Sequence, residues 1–84
     1  MKIKYGDIDL HSIQLNRGHE VHYFTCYSHD GYYFEWQKGA RTINLKSHAS
    51  YQAQDLDCFG MDPRTAPTMR NAKSCIVEWI NENQ

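Results

Sequence analysis

The chain has 84 residues, of which 40% are hydrophobic, 23% charged and 13% aromatic, and its formal net charge is −1. This length supports one modest hydrophobic core, and the composition is that of a globular protein, which excludes a disordered chain and leaves a single domain over residues 1–84. The near-neutral charge excludes the general basic field that attracts nucleic acid or an anionic membrane without specificity, so such a partner would need a local patch.

The first predicted strand covers residues 8–15, and its apolar side chains change parity along the strand. Two pairs with opposite parity are involved: Ile8 and Leu10, then Ile13 and Leu15. A straight strand cannot bury all four on one side. A bulge or break near Ser12 would reconcile them, and a turn at residues 16–18 would then lead into an antiparallel neighbour.

The clearest local signal is a hairpin around Asp30-Gly31, a residue pair that is favoured in two-residue type I′ turns. With that loop, Thr25 faces Trp36 across the hairpin. The predicted core face comprises Val21, Tyr23, Tyr27, Tyr32, Phe34 and Trp36. The predicted outer face comprises His22, Phe24, Cys26, Tyr33, Glu35 and Gln37.

The second half of the chain contains one more strand and a helix. Residues 42–46 alternate with Ile43 and Leu45 inward, whereas residues 47–58 have only a weak helical stripe and are predicted as a loop with at most a short helix. From about Thr68, apolar residues recur at three- and four-residue steps, which predicts a C-terminal helix. The fold class is therefore α+β, with a three- or four-stranded antiparallel meander packed against one C-terminal helix.

The cysteines and the chain start indicate a compartment. Cys26, Cys58 and Cys75 cannot all pair within one chain, and free thiols in a reducing compartment fit them better than a disulfide framework. No apolar run approaches the roughly 18 residues of a membrane span, and the first residues lack the apolar stretch of a signal peptide. We therefore expect a cytoplasmic protein that has no membrane partner.

Metal and catalytic interpretations find little support in the residue spacing. The segment from His19 to His22 is one residue short of the zinc-protease motif, and in a strand its two imidazoles point to opposite faces. Cys26 lies about 13 Å along the strand from His22, which is too far for one zinc ion to bridge. We predict no metal, no cofactor and no catalytic residue, and keep a metal- or thiol-dependent protein as an alternative.

The predicted outer face is the preferred binding surface. His22, Phe24, Tyr33 and Glu35 would form an aromatic and polar patch there, of the kind that protein interfaces favour. We predict that these four residues bind another protein. The alternative left open is that residues 47–62 fold over the same face and bury it.

A nucleic-acid interface is the second functional hypothesis. It would use Arg64, Arg70 and Lys73 together with Tyr33 as a stacking residue. A meander followed by a C-terminal helix is similar to the double-stranded RNA-binding layout, but the lysine cluster of that module at the helix start is missing. Arg70 and Lys73 are a thin substitute for it.

The predicted strand 42–46 also bears on the oligomeric state. An exposed strand at a sheet edge is able to pair with the same strand of a second copy. A homodimer through these residues is compatible with the sequence, although nothing in it requires one.

In size, near-neutral charge, aromatic hairpin and single C-terminal helix, the chain resembles the small accessory proteins of phages and mobile elements. That group includes inhibitors of host defence systems such as anti-CRISPR proteins. The resemblance concerns the general build, because these proteins share no sequence signature, so no functional residue is transferred. It implies a non-enzymatic binder that blocks a host protein by surface complementarity.

Overall fold

The computed structural model describes residues 2–26, 32–47, 54–57 and 66–83. Within them, five antiparallel strands form one sheet in the order β1-β2-β3-β4-β5, and one helix follows the sheet in the chain. The strands are β1 Ile8–Asn16, β2 His19–Cys26, β3 Tyr33–Gln37, β4 Ile43–Ser47 and β5 Gln54–Leu56, and the helix α1 is Met69–Glu82. The α+β class, the antiparallel meander and the C-terminal helix are confirmed, with one strand more than the sequence predicted.

The additional strand is β5, which lies where the sequence predicted a loop. It pairs with β4, so that Leu56 is opposite Ile43 and is buried. With one apolar residue in three, β5 shows no alternation that would predict a strand. It forms because its backbone pairs with the longer strand β4. Because β5 covers β4, residues 42–46 are internal and the predicted dimer edge is wrong. The edges of the sheet are β1 and β5.

The predicted irregularity in the first strand is confirmed. The register of β1 against β2 shifts between Leu10, which is opposite Phe24, and Ser12, which is opposite Tyr23. The shift brings the four apolar residues of β1 to the same side of the sheet, because their partners on β2 are all even-numbered. The strands then join through a two-residue turn, Arg17-Gly18, in which both φ angles are positive, 55° and 83°.

The hairpin register between β2 and β3 differs from the predicted one by three residues. Thr25 is opposite Tyr33 rather than Trp36, and Phe24 is opposite Phe34. An odd shift exchanges the two faces of a strand, so Phe24 lies on the side predicted for Tyr23 and Tyr23 on the side predicted for Phe24, while Val21 is buried as predicted. The observed register buries Phe24 and leaves the Tyr23 hydroxyl outside the core, which avoids the cost of an unpaired buried hydroxyl. The Asp30-Gly31 turn lies outside the described residues.

The core lies between one side of the sheet and α1. Its largest fully buried side chains are Trp36, Phe24, Phe34, Ile8, Ile43, Leu45, Ile76 and Ile80. Thr68 caps the helix by accepting a hydrogen bond from the Asn71 backbone at 3.2 Å, while the Asn71 side chain accepts one from the Thr68 backbone at 2.9 Å. The described part of the chain holds no helix that is long and apolar enough to cross a membrane.

The cysteines differ from the expectation of free thiols. Cys26 keeps its thiol and is buried in the core, whereas Cys75, on the buried side of α1, is disulfide-bonded. A disulfide is more typical of oxidising compartments than of a reducing one.

Candidate functional site

Two of the four residues predicted to bind a protein lie in the core. Phe24 is 0% exposed and His22 is 5% exposed, because the observed register turns both toward α1. Their prediction as members of an exposed patch was therefore wrong, and the physical reason is the odd shift in the hairpin register.

His22 makes a local polar contact within this buried environment. Its Nε2 donates to the Glu20 carboxylate at 3.2 Å, and the Lys38 ammonium lies 3.5 Å from the other Glu20 oxygen. The hydrogen bond from His22, followed by the charge of Lys38, lowers the pKa of Glu20. The His22 ring also meets Trp36 edge-on, with 5.3 Å between centroids. These contacts identify His22 as a structural residue of the core margin.

Tyr33 and Glu35 lie on the side of the sheet opposite α1, which we call the outer face. Both are half-buried, and each is opposite another outer-face residue on β2, Thr25 for Tyr33 and Tyr23 for Glu35. The Tyr23 and Tyr33 rings stack with 5.6 Å between centroids and 12° between planes. His11, on β1, meets Tyr33 edge-on at 5.9 Å. Three aromatic rings, each from a different strand, therefore form one contiguous group.

Tyr23 and His11 lie on the outer face, which the sequence pattern does not reveal. Tyr23 has the same parity as Val21, and a two-residue loop places it in the predicted core. His11 occupies the bulge of β1, where alternation does not decide the face. A hairpin loop with an odd number of residues would have brought Tyr23 and Tyr33 together, since both are odd-numbered.

A carboxylate is held against this aromatic group. Tyr23 and Glu35 are directly opposite each other on β2 and β3. Partial burial raises the pKa of Tyr23, and the negative charge of Glu35 raises it further. Tyr23 therefore stays neutral at physiological pH.

The outer face has an acidic character across the described strands. Alternation places three carboxylates on it, each from a different strand: Asp9, Glu35 and Asp55. Lys46 is the one lysine or arginine of these strands. It directly follows the core residue Leu45, so strand alternation places it on the outer face together with the carboxylates. No helix or strand of the described ranges packs on this face, because α1 covers the opposite one.

The residues of the nucleic-acid hypothesis are not brought together. Arg64 lies outside the described residues. Arg70 and Lys73 lie on α1, on the opposite side of the sheet from Tyr33, so the predicted combination does not form one surface. Instead, Arg70 and Lys73 approach the exposed ring of Tyr5, at 5.9 Å and 5.2 Å from its centroid. We call these three residues the Tyr5 cluster. The sequence does not reveal it, because Tyr5 is far from Arg70 and Lys73 along the chain.

The charges on α1 are arranged against the helix dipole. The first turn holds no acidic residue and the last turn no basic one, whereas carboxylates prefer the N-terminal end and cations the C-terminal end.

Near the C-terminal end of α1, Glu78 and Glu82 line a cleft of about 190 Å³ together with Asp55 and Asp57 of the neighbouring β5 segment. In the described residues, no three potential ligands are grouped so that they could hold a metal ion.

Comparison with known protein families, with curated proteins and with solved structures finds no match to this chain.

Proposed function

We propose that the chain is a non-enzymatic protein-binding module that uses its outer face. The observation that supports this proposal is the stacked pair Tyr23 and Tyr33, with His11 and Glu35 around it, on a side of the sheet that no described element covers. Tyrosines are enriched at protein interfaces because they contribute a large rigid area and a polar tip at little entropic cost. Tyr33 and Glu35 keep their predicted role, while Tyr23 and His11 replace His22 and Phe24.

The charge of the outer face favours a basic partner surface. Asp9 and Glu35 present carboxylates beside the tyrosines, and an arginine-rich surface would pair with them while its guanidinium groups stack on the rings. Complementary charge of this kind increases the association rate and the selectivity for one partner. Nucleic acid would be repelled by the same face.

Within this proposal, the partner is a host defence protein that the chain blocks stoichiometrically, as phage-type inhibitors do. The support is the general build of the chain and an interface that needs no catalytic residue. Blocking by occupancy requires only a preformed surface, and the outer face is formed by the five strands of one sheet that share a core with α1.

The test is affinity capture from a host lysate with and without nuclease, followed by binding measurements on the captured protein. We expect Tyr33→Ala to weaken binding at least about tenfold and Glu35→Gln to weaken it in a salt-dependent manner. Glu78→Gln is the matched control, because it removes the same charge from α1 on the other side of the sheet. Unchanged affinity of a folded Tyr33→Ala variant would overturn the proposal.

Nucleic-acid binding is the second candidate, and the Tyr5 cluster is the observation that favours it. An exposed ring beside two cations is able to stack on a base while the cations contact phosphates. Binding should then weaken steeply with salt, and both Lys73→Glu and Tyr5→Ala should reduce it. Salt-independent binding, or binding unaffected by Lys73→Glu, would remove this candidate.

A metal- or thiol-dependent protein, the third alternative, has no supporting observation in the described residues.

A cytoplasmic location belongs to the proposal as well, and the Cys75 disulfide is the feature that opposes it. The redox state of the cysteines is measured by alkylating free thiols rapidly as the cells are opened and counting the alkylated cysteines of the purified chain. Three reactive thiols in the denatured chain would agree with the cytoplasm, and one would agree with an oxidising compartment.

A further inference from the structure

The edge strand β1 is long and lacks the basic and proline residues that keep many sheet edges from pairing with other chains; its bulge and Asp9 are the protective features that it has. It is nine residues long, about 30 Å, and contains no lysine, arginine or proline. Within the described part of the chain, β1 pairs with β2 on one side and with no strand on the other. Its outward backbone groups are therefore available to an additional strand.

The same strand exposes an apolar row on the α1 side of the sheet. Leu10, Ile13 and Leu15 are 37%, 48% and 76% exposed. They share one side because the bulge at His11 compensates for their opposite parity. An exposed edge with an apolar row beside it is the arrangement that favours strand addition.

We propose that β1 pairs antiparallel with β1 of a second copy, which joins two sheets into one of ten strands. The parity change supports a copy over an unrelated strand. The two apolar pairs, at positions 8 and 10 and at positions 13 and 15, are symmetric about the bulge, so a second antiparallel β1 presents the same two pairs in reverse order. A second β1 matches both when Leu10 is opposite Ile13 of the second copy, because Ile8 is then opposite Leu15.

The charges of β1 agree with this register. Asp9 is the one residue among Asp, Glu, Lys and Arg in the strand, and the register places it opposite Gln14 of the second copy. Direct opposition of two Asp9 carboxylates, which would destabilise the pair, is avoided. Each contact occurs twice about a twofold axis, so the assembly closes as a dimer and does not extend into a fibre.

The dimer should be weak and reversible. Three side chains and one strand of backbone per copy cover less than the about 800 Å² per partner that stable interfaces bury. We expect monomer and dimer to exchange in the micromolar range or above, and the outer face remains free in both states because the apolar row lies on the other side.

The first experiment is sedimentation equilibrium over a wide concentration range. We expect a concentration-dependent dimer that Leu15→Lys weakens at least about tenfold, and the fold should persist because Leu15 is 76% exposed. Gln14→Lys is the matched control on the same strand: it should leave dimerisation unchanged or strengthen it, since the new lysine is opposite Asp9. A monomer at every concentration, or a dimer insensitive to Leu15→Lys, overturns the proposal.

The second experiment tests the register. Leu10→Cys and Ile13→Cys variants, mixed and oxidised, should cross-link to each other, while neither variant should cross-link efficiently alone. Equal cross-linking in the unmixed samples contradicts the proposed pairing. Both variants retain the outer face, so this result is independent of whether the protein-binding proposal holds.

Discussion

The two sides of the sheet are built from neighbouring residues of the same strands, yet they have opposite characters. Phe34, with 0% exposure, meets Trp79 of α1, while its neighbour Tyr33 stacks on Tyr23 on the outer face. Strand alternation separates a sealed apolar core from a half-exposed aromatic and acidic surface. A one-residue change of register would therefore exchange a core residue for a surface residue.

The largest expected effect comes from truncating each of these two neighbouring residues in turn. Phe34→Ala should lower the free energy of unfolding by about 3–5 kcal/mol because it opens a cavity in the core, whereas Tyr33→Ala should lower it by about 1 kcal/mol. Urea denaturation of both variants measures the difference. Equal losses would show that the register, and with it the assignment of the two faces, is wrong.

A smaller effect should come from the polar margin of the core side. Because the pKa of Glu20 is lowered in the folded protein, its ionised form stabilises the fold above the ordinary value of 4.5, and this stabilisation is lost as pH falls below that value. Glu20→Gln should therefore flatten the acid side of the dependence of Tm on pH. An unchanged acid profile would contradict the contact with His22 and Lys38.

The smallest effect concerns the outer face. The raised pKa of Tyr23 means that its neutral form stabilises the fold below the ordinary value of 10.0, and this is lost as pH rises through the folded pKa. Glu35→Gln removes the neighbouring charge and should lower the pKa of Tyr23 toward that value. Phenolate absorbance, assigned by difference with Tyr23→Phe, follows this titration. No change in the Tyr23 titration would show that Glu35 does not act on it.

The elements with a strong local pattern could be predicted from the sequence. The parity conflict among Ile8, Leu10, Ile13 and Leu15 required an irregular strand, and the bulge resolves it. The three- and four-residue spacing after Thr68 required a helix, and α1 begins at Met69. In both cases the signal depends only on residues within one element.

The site could not be predicted to the same extent, because it depends on how elements meet. The face of Phe24 is decided by the number of residues in a hairpin loop, and Asp30-Gly31 indicated an even number. Tyr5 and Lys73 approach each other only after the N-terminal segment lies along α1, where Ile3 and Asn81 exchange two hydrogen bonds of 2.8 and 3.1 Å. No local pattern records such a contact between residues so far apart in the chain.

The most direct test of the proposed binding surface is a titration of the captured partner with three proteins: the unaltered chain, Tyr33→Ala and Tyr5→Ala. The two substitutions remove the same side chain from opposite sides of the sheet. We predict that Tyr33→Ala raises Kd at least about tenfold while Tyr5→Ala leaves it within about twofold. A Kd raised by Tyr5→Ala and unchanged by Tyr33→Ala would contradict the proposal and move the binding surface to the Tyr5 cluster.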